Sequence, residues 1–349
     1  MKRTSIVAVC AMAALTLAAC GQSGTAGDGG GGGQLSVTTW GGTIQKAYEA
    51  HAVSAFEEAS GFSLVFTATD DLTSMAKVRA ERGGTSTYDV VSTLPIPMTQ
   101  MAAEDLLAPI TEEDVPNLAH VDEKYRSEFA VPNFYSARSI VYNVDAVGEP
   151  PTSWADLWDP RFKGRIGIET SHEMDWLFAA AAAVKGAPPE TDAEWDAGWD
   201  LVLQLPDQAR FYGESTSQAM NSGEVWIVMS SMSAARDMNE NSEMNIAGVI
   251  PEEGTWAKVD LSVIPKNAPN IDEAYDFLNT LLDPESQAAI YDASGYIPAV
   301  TNVDIPDAEL SEVAGDADAR QRTIMLDYEY IASKTDEWRQ RWQEEVLQQ

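Results

Sequence analysis

Catalysis by this chain would need reactive side chains at workable spacing, and few are present. The three histidines, His51, His120 and His172, lie far apart in sequence. No His-Glu-x-x-His helix is available to hold zinc, and neither a Gly-x-Ser-x-Gly turn nor a Walker loop occurs. Gly27-x-Gly29-x-x-Gly32 has the form of a dinucleotide fingerprint, but no strand precedes it and no helix follows. Asp237-Met238-Asn239-Glu240-Asn241 imitates the start of a calcium loop. Ser242 then stands where that loop needs Gly, and Gly248 where it needs a bidentate acid. A binder is expected rather than an enzyme, with no cofactor and no metal. Residues suited to binding are easier to find. Trp40 closes an apolar stretch beside Gly41-Gly42, where backbone can approach a ligand, and its ring suits stacking on an apolar or cationic group. A place in the core is the competing reading. Ser92 and Thr93 end a second apolar stretch and offer hydroxyls, to a ligand or to a helix as caps. Asp260 leads the apolar run 261–264 and needs a partner if buried.

The N-terminus bears on where such binding takes place. Lys2 and Arg3 precede a 6–19 apolar run without a charge. A membrane span needs roughly 20 residues, so this run has the length of a signal-peptide core instead. It ends in Leu17-Ala18-Ala19-Cys20, which resembles the lipobox of bacterial lipoproteins. A signal peptide is therefore expected over 1–19, with Cys20 as the lipid-bearing first residue of the mature chain. Cys10 leaves with the signal, so no internal disulfide can form. Residues 20–34 carry a five-glycine run and read as a flexible tether of roughly 20 Å. The protein is expected outside the cytoplasm, at the cell surface or in the periplasm, tied to the membrane by its lipid. With 55 acidic against 22 basic residues and a net charge of −33, nucleic acid is a poor partner. A well-solvated acidic surface accounts for much of that charge, and its field would also draw in cations.

The body must position the candidate residues. Apolar runs predict strands at 35–40, 62–67, 88–92, 139–143, 165–168, 225–229, 247–250 and 260–265. Helical spacing predicts helices over 44–59, 71–82, 174–185, 271–282 and from 284 to Gly295. Asn270 and Glu273 are spaced as a capping pair, and Pro284 sits at a first helical position. A long polar-aromatic helical tail is expected over 319–347. Strands alternating with helices imply an α/β fold with parallel sheet.

Five blocks in register resemble the family-one extracellular solute-binding proteins, in their spermidine/putrescine-binding branch. They are Val37-Thr38-Thr39-Trp40, Tyr88-Asp89-Val90-Val91-Ser92-Thr93, Thr152-Ser153-Trp154-Ala155-Asp156-Leu157-Trp158-Asp159-Pro160, Ser222-Gly223-Glu224-Val225 and Asp260-Leu261-Ser262-Val263-Ile264-Pro265-Lys266-Asn267-Ala268. The resemblance implies the type 2 periplasmic-binding-protein architecture: α/β, two Rossmann-like lobes joined by crossing hinge strands. Lobe one would comprise 35–138 plus 259–300, and lobe two 139–258 plus 301–349. It further implies a monomeric solute-capturing subunit with the permease and ATPase of an ABC importer as partners, and a small amine as ligand. Its residue roles would fall on Trp40 as an aromatic wall, Asp260 as an amine partner, and Tyr135 as an aromatic before the first hinge. Asp175 would be a second amine partner, with Glu173 as its rival.

The chain also departs from the polyamine pattern. Lys258 replaces an aromatic two residues before Asp260, Ser231 falls near a position that is Trp in the family, and Arg138 occupies a small-polar hinge position. Two cations with fewer aromatics disfavour a polyamine and suit a zwitterion such as an ω-amino acid. Pairing of Lys258 and Arg138 with nearby acids is the plainer alternative. A ligand-sensing surface receptor uncoupled from transport is compatible with the same sequence.

Overall fold

A computed structural model describes residues 32–170, 172–213, 216–240 and 242–348. The expected signal peptide, Cys20 and the expected tether through Gly31 lie outside the described residues.

The strands are β1 (Gln34–Thr39), β2 (Ser63–Ala68), β3 (Val91–Thr93), β4 (Val131–Asn143), β5 (Ile166–Glu169), β6 (Ala209–Tyr212), β7 (Ile227–Ser231), β8 (Ile246–Val249), β9 (Thr255–Val263), β10 (Ile297–Pro298) and β11 (Thr323–Ile324). β1 and β2 pair in parallel, and a parallel bridge from Val37 to Val90 leads from β1 toward β3. β3 then pairs antiparallel with β9. The remaining sheet runs β11-β9-β4-β7-β5-β6. The fold is mixed α/β, with parallel pairs at β1/β2, β5/β6, β5/β7 and β9/β11 and antiparallel pairs around β4 and β9.

Two large apolar cores form. One draws on residues between Leu35 and Phe134 and between Ala257 and Val300. The other draws on residues between Ile140 and Trp256 and between Leu326 and Val346. β4 and β9 run through both. Val131 and Phe134 of β4 lie in the first core and Ile140 and Tyr142 in the second. β9 gives Trp256 to the second core and Val259 and Leu261 to the first. Their antiparallel register places Phe134 opposite Asp260 and Ser136 opposite Lys258.

The elements differ from the sequence expectation in instructive places. The 44–59 helix is two helices, Gly42–Ala50 and Ala52–Ser60, broken at His51 with φ −141°. Each half follows a different neighbour, the first packing on helix Pro284–Ser294 and the second on helix Ile271–Leu281. Asn270 does not cap the latter helix: its side-chain amide donates to the Asp89 carboxylate and to the Gln34 carbonyl. The strand expected at 225–229 begins two residues later, because the Trp226 amide is already engaged by the Arg165 carbonyl at 2.6 Å. The tail is interrupted. Thr323–Ile324 adds a short strand beside Thr255–Trp256, and only then does helix Tyr328–Trp342 start, capped by Asp327. Trp338 and Trp342 of that helix are buried in the second core.

Candidate functional site

The site is built where β4 and β9 pass from one core to the other. Trp40 follows the last residue of β1, and the chain turns at Gly41 (φ 71°) and Gly42 (φ 54°) into helix Gly42–Ala50. Glycine is needed at both, because an L side chain is strained at positive φ. The turn leaves Trp40 half-buried, with its indole Nε1–H donating to Oδ2 of Asp260. The amide of Asn133 donates to the other oxygen at 2.6 Å. A bulge in β4 between Pro132 and Phe134 accompanies this contact.

Asp260 is buried, and burial raises its pKa to about 7. The bonds from Asn133 and Trp40 and the charge of Lys258 oppose that rise, while Asp71 adds to it. Near neutral pH this is a carboxylate that is only partly ionised and, among the described residues, forms no ion pair. Tyr48 and Tyr296 stand near enough for its charge to raise their own pKa values, on top of burial.

A second charge pair lies further along β4. Arg138, with its side chain about 10% exposed, makes an ion pair through Nη2 with Oδ2 of Asp175. Asp175 is buried in the first turn of helix Glu173–Lys185. His172 lies 3.9 Å from the same oxygen through Nδ1 and 3.3 Å from Glu169 through Nε2. Burial lowers the His172 pKa, assisted by Arg138 and opposed by Asp175.

Lys258 joins the two clusters. It shares the Asp260 face of β9 by strand alternation, and its pKa is lowered by Arg138 first and by the surrounding protein second. Asp175, Asp260 and Asp71 oppose that lowering. Its side chain remains exposed, so water reaches it. Asp71, half-buried in the first turn of helix Asp71–Glu81, has its pKa raised by burial. Lys258 partly offsets that.

Trp40, Arg138, Asp175, Lys258 and Asp260 are thus brought together, and Ser231 stands beside Arg138 across the β4/β7 pair, its hydroxyl accepting from the Ala234 amide. Ser92, Thr93 and Tyr135 flank the Asp260 segment in register, opposite Ser262, Leu261 and Val259, and have partners of their own. Tyr135 points to the opposite face of β4 from Ser136, packs at a tilt against Tyr125 with ring centres 4.6 Å apart, and lines a small pocket of about 10 Å³ with Arg320. Ser92 stitches β3 to β1, its hydroxyl donating to the Thr38 carbonyl at 2.8 Å. Thr93 is buried, with its hydroxyl on the Leu94 carbonyl. Glu173 faces Arg339 at 3.1 Å, on the C-terminal helix, and so leaves the cluster to Asp175. Asp71 and Asn133 were not singled out from sequence. An acid after Asp70 at a helix start reads as a cap, and the bulge that accompanies the Asn133 contact has no sequence signal. Among the described residues, no group of three or more His, Cys, Asp or Glu is placed to hold a metal ion, and no helix is long and apolar enough to cross a membrane.

The sequence profile of the bacterial extracellular solute-binding proteins matches residues 51–315, about three-quarters of the chain. The chain belongs to that family. It is a family of solute-binding proteins and not of enzymes. The spermidine/putrescine-binding periplasmic protein 1 of Haemophilus influenzae is 26% identical over 253 residues, covering 69% of this chain and 68% of that one. The putrescine-binding periplasmic protein of Escherichia coli is 26% identical over 282 residues, covering 71% and 74%. An ABC transporter substrate-binding protein from Bradyrhizobium japonicum superposes with a TM-score of 0.78 at 21% identity, over 90% of this chain and 99% of that one. The periplasmic-binding-protein architecture therefore spans nearly the whole described body.

Proposed function

We propose that this protein is the solute-binding subunit of an ABC importer, held at the membrane by a lipid on Cys20. In this reading its two cores are the bodies of two lobes that trap a small ammonium-bearing solute where β4 and β9 cross. The family, and the fold shared with an ABC transporter substrate-binding protein, support the class. The observation that carries the ligand chemistry is Asp260. A buried carboxylate held by an indole N–H and an amide, with no ion pair among the described residues, is stabilised when an ammonium docks against it. Trp40 then supplies a ring beside that ammonium. Polyamines, the named solutes of the H. influenzae and E. coli relatives, carry that group.

Native mass spectrometry of the full chain purified from its host tests the class, through a co-purified small molecule that bears an amine. Calorimetry tests the residue: Asp260→Asn should weaken amine binding by about 2–5 kcal/mol. Unchanged affinity in that variant removes Asp260 from the ligand. Cys20→Ala should release the protein from the membrane while leaving its fold intact, and membrane retention of that variant would refute the anchor.

A further inference from the structure

Arg138 and Lys258 are the cations that an ammonium site does not need. Arg138 uses Nη2 on Asp175, and its buried Nε has no hydrogen-bond partner among the described residues. A buried guanidinium N–H without an acceptor is an unfavourable arrangement that a bound acceptor relieves. Lys258 is exposed, and among the described residues no carboxylate lies within ion-pair distance of it. Asp175 is already neutralised by Arg138 and is therefore a weak partner for a ligand amine. Among the described residues of this cluster, the acids left for an amine are Asp260 and Asp71, and Asp71 likewise has no ion pair there.

The charges are thus sorted along the strands. Asp260 faces Phe134, and Arg138 lies four residues further along β4, about 13 Å at the rise of a strand. Lys258 stands between, roughly 7 Å along β9 from Asp260. A ligand with its ammonium on Asp260 directs its other end toward two cations. A second ammonium is repelled there and a carboxylate is held.

Building on the ammonium reading above, we propose that Arg138 and Lys258 form a carboxylate subsite. The ligand is then a short ω-amino acid, with its ammonium on Asp260 and its carboxylate shared by the unpartnered Nε–H of Arg138 and by Lys258.

Calorimetry on the full chain in detergent tests this with 4-aminobutanoate, 5-aminopentanoate, 6-aminohexanoate, pentylamine, pentanoate and 1,5-diaminopentane. The best of the three amino acids should bind at least tenfold more tightly than pentylamine or 1,5-diaminopentane. Lys258→Gln should lower that affinity at least fivefold and raise that of 1,5-diaminopentane. Because Arg138→Gln alone leaves Asp175 unpaired, it is made together with Asp175→Asn, and this double variant should also lose amino-acid affinity. Pentylamine or 1,5-diaminopentane binding as tightly as every amino acid overturns the carboxylate subsite and leaves the ammonium reading standing. Pentanoate binding as tightly as the amino acids, or no binding by any compound, overturns both.

Discussion

In the proposed reading, a proton and a ligand ammonium compete for the Asp260 carboxylate. Its pKa of about 7 lies above that of an unfolded aspartate because burial disfavours the charge. Between about pH 4 and pH 7 the folded state therefore holds a proton that the unfolded state has lost. Stability falls as pH rises through that window, by a few kcal/mol in total. Ligand affinity has the opposite slope. An ammonium needs the ionised carboxylate, so binding weakens about tenfold per pH unit below 7 and levels off above it. Calorimetry from pH 5 to pH 8 reads this directly, and Asp260→Asn should flatten the profile. A flat wild-type profile would mean that Asp260 is ionised throughout or does not meet the ligand. Trp40 makes a separable contribution. Trp40→Phe keeps an aromatic face and removes the Nε1–H that steadies Asp260, so the midpoint of the profile should move to higher pH. The weaker cation–π face should cost about 1 kcal/mol of amine affinity. A reduced affinity with an unmoved midpoint would show that the indole acts by stacking alone.

At the level of elements, small residues set how closely the second core packs. A Cβ added at Gly198 would lie 2.7 Å from the Ala181 backbone nitrogen and 3.0 Å from its Cα. Backbone cannot swing aside as a side-chain tip can, so Gly198→Ala should destabilise the protein by about 1–3 kcal/mol. Urea melts check this, and an unchanged midpoint would place helix Glu173–Lys185 further from Gly198. The same core explains part of what was readable in the sequence. The Thr152–Pro160 block was legible because it does structural work: Ser153 and Asp156 form a capping box, and Trp154 packs on Trp256 and bonds the Gly254 carbonyl. β9 was read only from residue 260, since the charge of Lys258 breaks an apolar run that the strand in fact carries from Thr255. Asp260 consequently looked like a strand leader, whereas it sits mid-strand between Val259 and Leu261. The Trp40 turn was visible from its two glycines. Asp71 and Asn133 were hidden for another reason: what brings each to the site is a tertiary approach, and local spacing does not encode it.

At the scale of the molecule, the linked cores make a mechanical prediction. β4 and β9 are the strands that enter both cores, so a rotation of one body on the other would be absorbed by a few residues where they cross, as in hinge closure. The charged site lies at that crossing, with Trp40 and Asp71 carried by elements of the first core and Asp175 by a helix of the second. A ligand gripped from both sides stabilises the closed arrangement by its differential affinity for it. A second set of contacts must follow the motion. Helix Pro95–Ala103 packs against helix Tyr328–Trp342, and Met98, Phe129, Glu329 and Ala332 help line a groove of about 670 Å³ beside that contact. Spin labels on Gln100→Cys and Ala332→Cys in the Cys20→Ala background should therefore report a shifted distance distribution when the preferred amine is added. Small-angle scattering should show a smaller radius of gyration, and the fluorescence of Trp40 should change at the same ligand concentration. In Asp260→Asn all three responses should need more ligand. A ligand that binds by calorimetry yet moves neither the labels nor the radius would mean that the two bodies are held rigidly, with recognition confined to side chains already in place.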